Sequence, residues 1–213
     1  ITCRDWSSDV CSSDLATAAG SGDSSPTSST SDQNSPLIPN RNLPTARTTT
    51  IGANARIRAD GLEEGDGGVI VAWSDDHTTV QGALSARGGA NGGNGGLIET
   101  SGHHVTLNGI HIDASAPAGK TGKWLIDPVD FTIAVTDGDI TGAELSSQLN
   151  NADVEILSSN GAVGLNGDIN VNDAVSWSAN RLTLSAYRDI NINAVMTARS
   201  EEHTSELQSR QVI

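Results

Sequence analysis

Asp168–Asn172 reads DINVN, and 21 residues later Asp189–Asn193 reads DININ. Ala174-Val175 then matches Val195-Met196 at the same offset. Repeats of roughly 20–50 residues mark chains that stack one small unit on the next, each burying its apolar face against its neighbours. A rung of this length holds two or three short strands and their turns. The recurring Asn170, Asn172, Asn191 and Asn193 suit such a stack, because each side-chain amide both donates and accepts and so pairs with its copy above and below. A second, looser echo relates residues 67–89 to 95–119 at an offset of 27–28. Its order is a glycine pair, an apolar strand, a polar turn, a strand, a glycine and a strand ending in alanine.

Between these repeats the chain alternates short apolar segments with turn signals. Val69–Ser74 reads as a strand, Asp75-Asp76 as a turn, and Thr78–Ala86 as a second strand. GGANGGNGG at 88–96 is a glycine-rich corner, and short strands follow at 97–100, 105–107, 110–114, 124–126 and 131–135. The glycines Gly67, Gly68, Gly88, Gly89, Gly95, Gly96, Gly119 and Gly122, together with Pro128, are the predicted structural turns. Aromatic residues make up only 3%, with one Phe and one Tyr. A core of Val, Ile, Leu and Ala this poor in aromatics is best served by regular stacking in a solenoid. The expected fold is therefore all-β, a β-solenoid. An antiparallel sandwich would show isolated two-residue hairpins between strands of similar length and no 21-residue echo.

Thr141-Gly-Ala-Glu144 breaks the β pattern. Thr141 at the N-cap and Glu144 three residues on form a capping box, and Leu145 and Leu149 share a face. A short helix is expected near 142–150. Residues 16–50 are rich in Ser, Thr and Pro, and 21–36 lack any large apolar residue, so this stretch reads as a disordered linker ahead of a solenoid segment at 51–198. The two ends are set aside. Residues 5–15 (DWSSDVCSSDL) and 199–209 (RSEEHTSELQS) match the two orientations of one common sequencing-library adapter in translation. Residues 1–15 and 199–213 are accordingly read as artefact, and the natural protein is expected to extend past both. Both cysteines, Cys3 and Cys11, fall in the excluded part.

The formal charge of -14, from 26 acids and 12 bases, excludes a nucleic-acid surface built from clustered cations. No apolar run approaches the ~18 residues of a membrane helix. ASAPAGKT at 114–121 satisfies a relaxed phosphate-loop pattern, but Gly122, a strand-like WLI and Pro128 leave no room for the helix whose N-terminus would take the phosphates. GGANGGNGG lacks the Asp of a calcium-binding β-roll. The histidines His77, His103, His104 and His111 read as turn or surface residues, with His103 and His104 in a turn, and no cofactor or metal is expected. Asp75, Asp76 and Glu99 would have to converge in a groove for a polysaccharide-active enzyme. Asp127 and Asp130 read as turn residues around Pro128. Trp73, Trp124 and Trp177 fall at strand edges, where they plug grooves or, in the sharper reading, stack on carbohydrate.

The segments GDGGVIVAWSDDHTTVQGALSARGG (65–89), GGNGGLIETSG (92–102), IDASAPAGKTGKWLIDPVDFTI (112–133) and LTLSAYRDININA (182–194) resemble the filamentous haemagglutinin-like exoproteins of Gram-negative bacteria. The resemblance covers about residues 46–198. It implies a right-handed parallel β-helix, the shaft of a secreted or surface-displayed adhesin that leaves the cell through an outer-membrane two-partner secretion transporter and contacts host or neighbouring-cell glycans or proteins, without catalysis. The alternatives are a polysaccharide-active β-helix enzyme and the shaft of a contact-dependent toxin.

Overall fold

A computed structural model describes residues 2–4, 45–159 and 167–199. These form a β-solenoid of about five turns with parallel sheets on its faces and one short helix. In chain order, β1 (Thr2–Arg4) is followed by β2 (Thr48–Ile51) and β3 (Arg56–Arg58). The next rung holds β4 (Val69–Val80) and β5 (Ala83–Ser85), and the one after it β6 (Leu97–Thr106) and β7 (His111–Asp113). Then come β8 (Lys123–Asp127), β9 (Phe131–Ile133) and α1 (Gly142–Gln148). The last rungs are β10 (Asp153–Leu157), β11 (Ile169–Val171) and β12 (Val175–Trp177), then β13 (Leu182–Ser185), β14 (Ile190–Ile192) and β15 (Met196–Ala198).

The main face runs β4-β6-β8-β10-β13, each pair parallel. Its register builds columns of inward side chains. Ile70, Ile98, Trp124, Val154 and Leu182 form one, and Ala72, Thr100, Ile126, Ile156 and Leu184 form the next. Except for Thr100, all belong to one continuous buried core. Successive strand residues face opposite ways, so like positions on successive rungs pack on each other. A fully buried Ile or Leu contributes roughly 1.5–3 kcal/mol. A second face carries β9-β11-β14, with Phe131, Ile169 and Ile190 in register. A third carries β3-β5-β7 and, beyond the helix, β12-β15.

Both predicted repeats are the stacking period itself. Val69 pairs with Leu97 and His77 with His104, offsets of 28 and 27. Ile169 pairs with Ile190 and Val175 with Met196, both at 21. The helix also stands where expected: Thr141 accepts from the Glu144 N–H, and the Glu144 carboxylate accepts from the Thr141 N–H. It occupies the place of a strand on the third face. Buried Gln148 completes the splice, its Oε1 accepting from Ile112 N–H at 2.9 Å and its Nε2 donating to Ile110 O at 3.0 Å. One side-chain amide thus supplies the edge of β7 with the pairing a backbone would give.

Three expectations need correction. Asp75-Asp76 is a bulge inside the continuous β4, where the register slips between Ser74 and His77. The chain does not turn back because both N–H groups keep rung-to-rung bonds, to Ala46 O and Arg47 O. His103 and His104 likewise lie within β6. The solenoid also begins before 51, since Thr48–Thr50 of the expected linker pair with β4. Residues 16–44 and the adapter-like stretches lie outside the described residues, apart from Arg199. Thr2–Arg4, set aside on the sequence, pairs antiparallel along Val69–Val71.

Candidate functional site

The most distinctive local chemistry is the corner entering the main face. GDGG (65–68), GNGG (93–96) and GKTG (119–122) stack directly. Asp66 Oδ1 accepts from Asn94 N–H at 2.6 Å, and Asn94 Oδ1 accepts from Lys120 N–H at 3.0 Å. The glycines are required by approach distance: a Cβ on Gly96 would lie 2.0 Å from Gly68 O, and one on Gly122 would lie 2.1 Å from Gly96 O. Gly67, Gly95 and Gly119 face similar backbone contacts, as do Gly88 and Gly89 in the adjoining bend. The corner is therefore a fixed, hydrogen-bonded column. The N–H groups of Gly67, Gly68, Gly95, Gly96 and Gly122 are all bonded to carbonyls of the chain, so they form no anion-binding nest. Lys120 and Thr121 sit in this corner and run into β8, with no helix after them. A lateral groove of about 640 Å³ runs beside the corner, over Gly67, Gly96 and Gly122 and between Leu97, Leu125 and Leu157.

The asparagine ladder forms as predicted. Asn191 Nδ2 donates to Asn170 Oδ1 at 3.0 Å, and Asn193 Nδ2 to Asn172 Oδ1 at 2.8 Å. Beside it Arg188 pairs with Asp168. The Arg188 hydrogen bond holds the Asp168 carboxyl below its usual range. Pro128 is buried at the bend between β8 and β9, where its carbonyl accepts from Ser159 N–H. Asp130 accepts from the N–H groups of Gly167 and Asp168 on the next rung.

The candidate acids do not form one group. Asp75 binds Thr45 and Asp76 binds Arg47. Glu99 is buried and pairs in register with Val71, four residues or ~13 Å along the strand from Asp75. His77 bonds Thr106 at 2.9 Å, and His103 bonds His104 at 3.1 Å. No three metal-ligating side chains gather among the described residues. Two tryptophans are placed differently from the carbohydrate reading. Trp124 is 0% exposed, an interior column member whose Nε1 donates to Thr100 Oγ1 at 3.0 Å. Trp177 is 7% exposed and packs in the same core. Neither ring offers a face to a sugar, whereas Trp73 is half-buried in β4.

One strongly perturbed carboxyl is Asp139, between β9 and α1. Burial raises its pKa from 3.8 to about 6, against the lowering effect of the Thr132 N–H bond and with a further push from Asp130. Burial also opposes ionisation of Glu144, but hydrogen bonds from Thr141 and Gly109 outweigh it and hold that carboxyl below its ordinary value.

The chain matches no protein-family model and no curated protein.

Proposed function

We propose that this chain is a shaft segment of a secreted or surface-displayed bacterial adhesin. In this reading it projects binding surfaces away from a cell and sums weak contacts along its length. The carrying observation is the rung-on-rung chemistry of its corners. The Asp66-Asn94-Lys120 column, the stacked glycines and the asparagine ladder direct side chains into propagating one coil along an axis. That suits a mechanical element. The resemblance to filamentous haemagglutinin-like exoproteins supports export through a two-partner secretion transporter and display at the surface of a Gram-negative cell.

The test is attachment. Beads coated with the purified chain are counted on cultured epithelial cells and on a lawn of bacteria, beside beads coated with an unrelated acidic β-protein of equal charge. Several-fold enrichment on one of the two surfaces is expected. Counts no higher than those of the control beads on both surfaces would end the attachment reading.

A further inference from the structure

On the third face, β3, β5 and β7 lie in parallel register. Arg56 and Arg58 are two apart on β3, so both project outward while Ile57 packs on the core. The next two rungs set Ala83 and then His111 beside Arg56, and Ser85 and then Asp113 beside Arg58. The middle rung is thus short where its neighbours are long. That difference leaves a trough of about 300 Å³, closed at one end by Ser147 and Gln148 of α1. This is the low end of the ~300–1,000 Å³ range of small-ligand sites.

The charges in the trough are selective. Arg87 Nε lies 3.4 Å from Asp113 Oδ2, and Asp60 accepts from Ser85 Oγ and from Arg87 N–H. Arg56 and Arg58 join no ion pair among the described residues. Two guanidinium forks therefore face the trough, in a chain with 26 acids and 12 bases. A guanidinium fork matches a carboxylate with two parallel hydrogen bonds. Asp113 also accepts from Ser115 N–H and Oγ, and the lone pairs left on Asp60 and Asp113 can take hydrogen bonds from hydroxyls, while their charge repels a polyanion such as nucleic acid or a densely sulfated chain. The complement is a ligand with one negative group and several hydroxyls.

We infer that this trough binds a carboxylate-bearing sugar, a uronic-acid residue of a glycan. The carboxylate lies on Arg56 and Arg58, and ring hydroxyls donate to Asp60 and Asp113. The inference deepens the attachment reading and rests on it for its biological setting.

The full chain is titrated with methyl glucuronide, methyl glucoside and sodium acetate by saturation-transfer NMR and calorimetry. Glucuronide is expected to bind with a Kd on the order of 1 mM, and the other two at least about tenfold more weakly. Arg56→Ala and Arg58→Ala should each weaken glucuronide about tenfold, and Arg181→Ala, on another part of the coil, should not. Far-UV circular dichroism checks folding, and Arg56→Gln and Arg58→Gln replace any alanine variant that loses its β signal. Glucoside or acetate binding as well as glucuronide would overturn the assignment, as would glucuronide binding that ignores Arg56 and Arg58, or no binding at all. Cell attachment that survives both substitutions counts against the trough alone. Glucuronide binding without cell attachment keeps the trough and removes the attachment reading.

Discussion

The rungs from Gly65 to Lys123 and those from Asp168 to Ala198 belong to one solenoid but solve its corners differently. The first group repeats every 26–28 residues and turns into the main face on stacked glycines, where backbone meets backbone. The second repeats every 21 residues. Its turn uses Asn180, at a φ of 60°, whose side chain donates to Leu149 O on the rung before. Its outer face carries the asparagine ladder in solvent. A solenoid can thus be held in register by excluding side chains from a tight corner or by pairing them along an open one. The first device tolerates no added atom. The second has slack.

The largest predicted effect breaks the tight corner. Gly96→Ala places a methyl against Gly68 O with only backbone available to move. A loss of about 3–5 kcal/mol is expected, or no folding at all. Chemical denaturation measures it, and a loss below about 1 kcal/mol would erase the contrast between the halves. A smaller effect lies at Asp139, in the link between them. Its folded pKa of about 6 stands above the ordinary 3.8. The folded state therefore holds this proton more tightly, and the contribution of Asp139 to stability is greatest below about pH 4, falls as pH rises towards 6, and stays low above. Asp139→Asn keeps an acceptor for Thr132 N–H and removes the charge. It should gain about 2 kcal/mol at pH 7 and flatten the stability curve between pH 4 and 6; an unchanged curve would assign that slope elsewhere. The smallest effect is at the open ladder. Asn191→Ala with Asn193→Ala should lose only about 1 kcal/mol together, read by the same denaturation. A loss rivalling that of Gly96→Ala would show that both corners are equally strict.

The period of the stack was legible because identical residues recur at positions that pair. DINVN and DININ became β11 and β14, and the capping box became α1. Glycine clusters marked the corners because only glycine admits such backbone approach. Asp75-Asp76 misled because an acidic pair signals a turn locally, while the bonds that keep it extended come from Ala46 and Arg47, about 29 residues earlier. Trp124 lies near a strand end in sequence, and only register shows it stacked between Ile98 and Val154. The trough was equally hidden. ARIRA at 55–59 reads as an ordinary alternating strand, and its depth comes from Ala83 and Ser85 on a different rung. Gln148 had no local signal, since its role is to mimic a strand that is absent from its rung.

The side-chain acceptors of the corner column and of the ladder share one direction. Asn94 N–H points back to Asp66, Lys120 N–H back to Asn94, and the amides of Asn191 and Asn193 back to Asn170 and Asn172. Each completed rung therefore offers vacant acceptors to the one that follows. The backbone of the same corner runs the other way, Gly67 N–H donating forward to Asn94 O and Gly95 N–H to Lys120 O, so neighbouring rungs are stitched in both senses and neither can slide along the axis without breaking bonds of each kind.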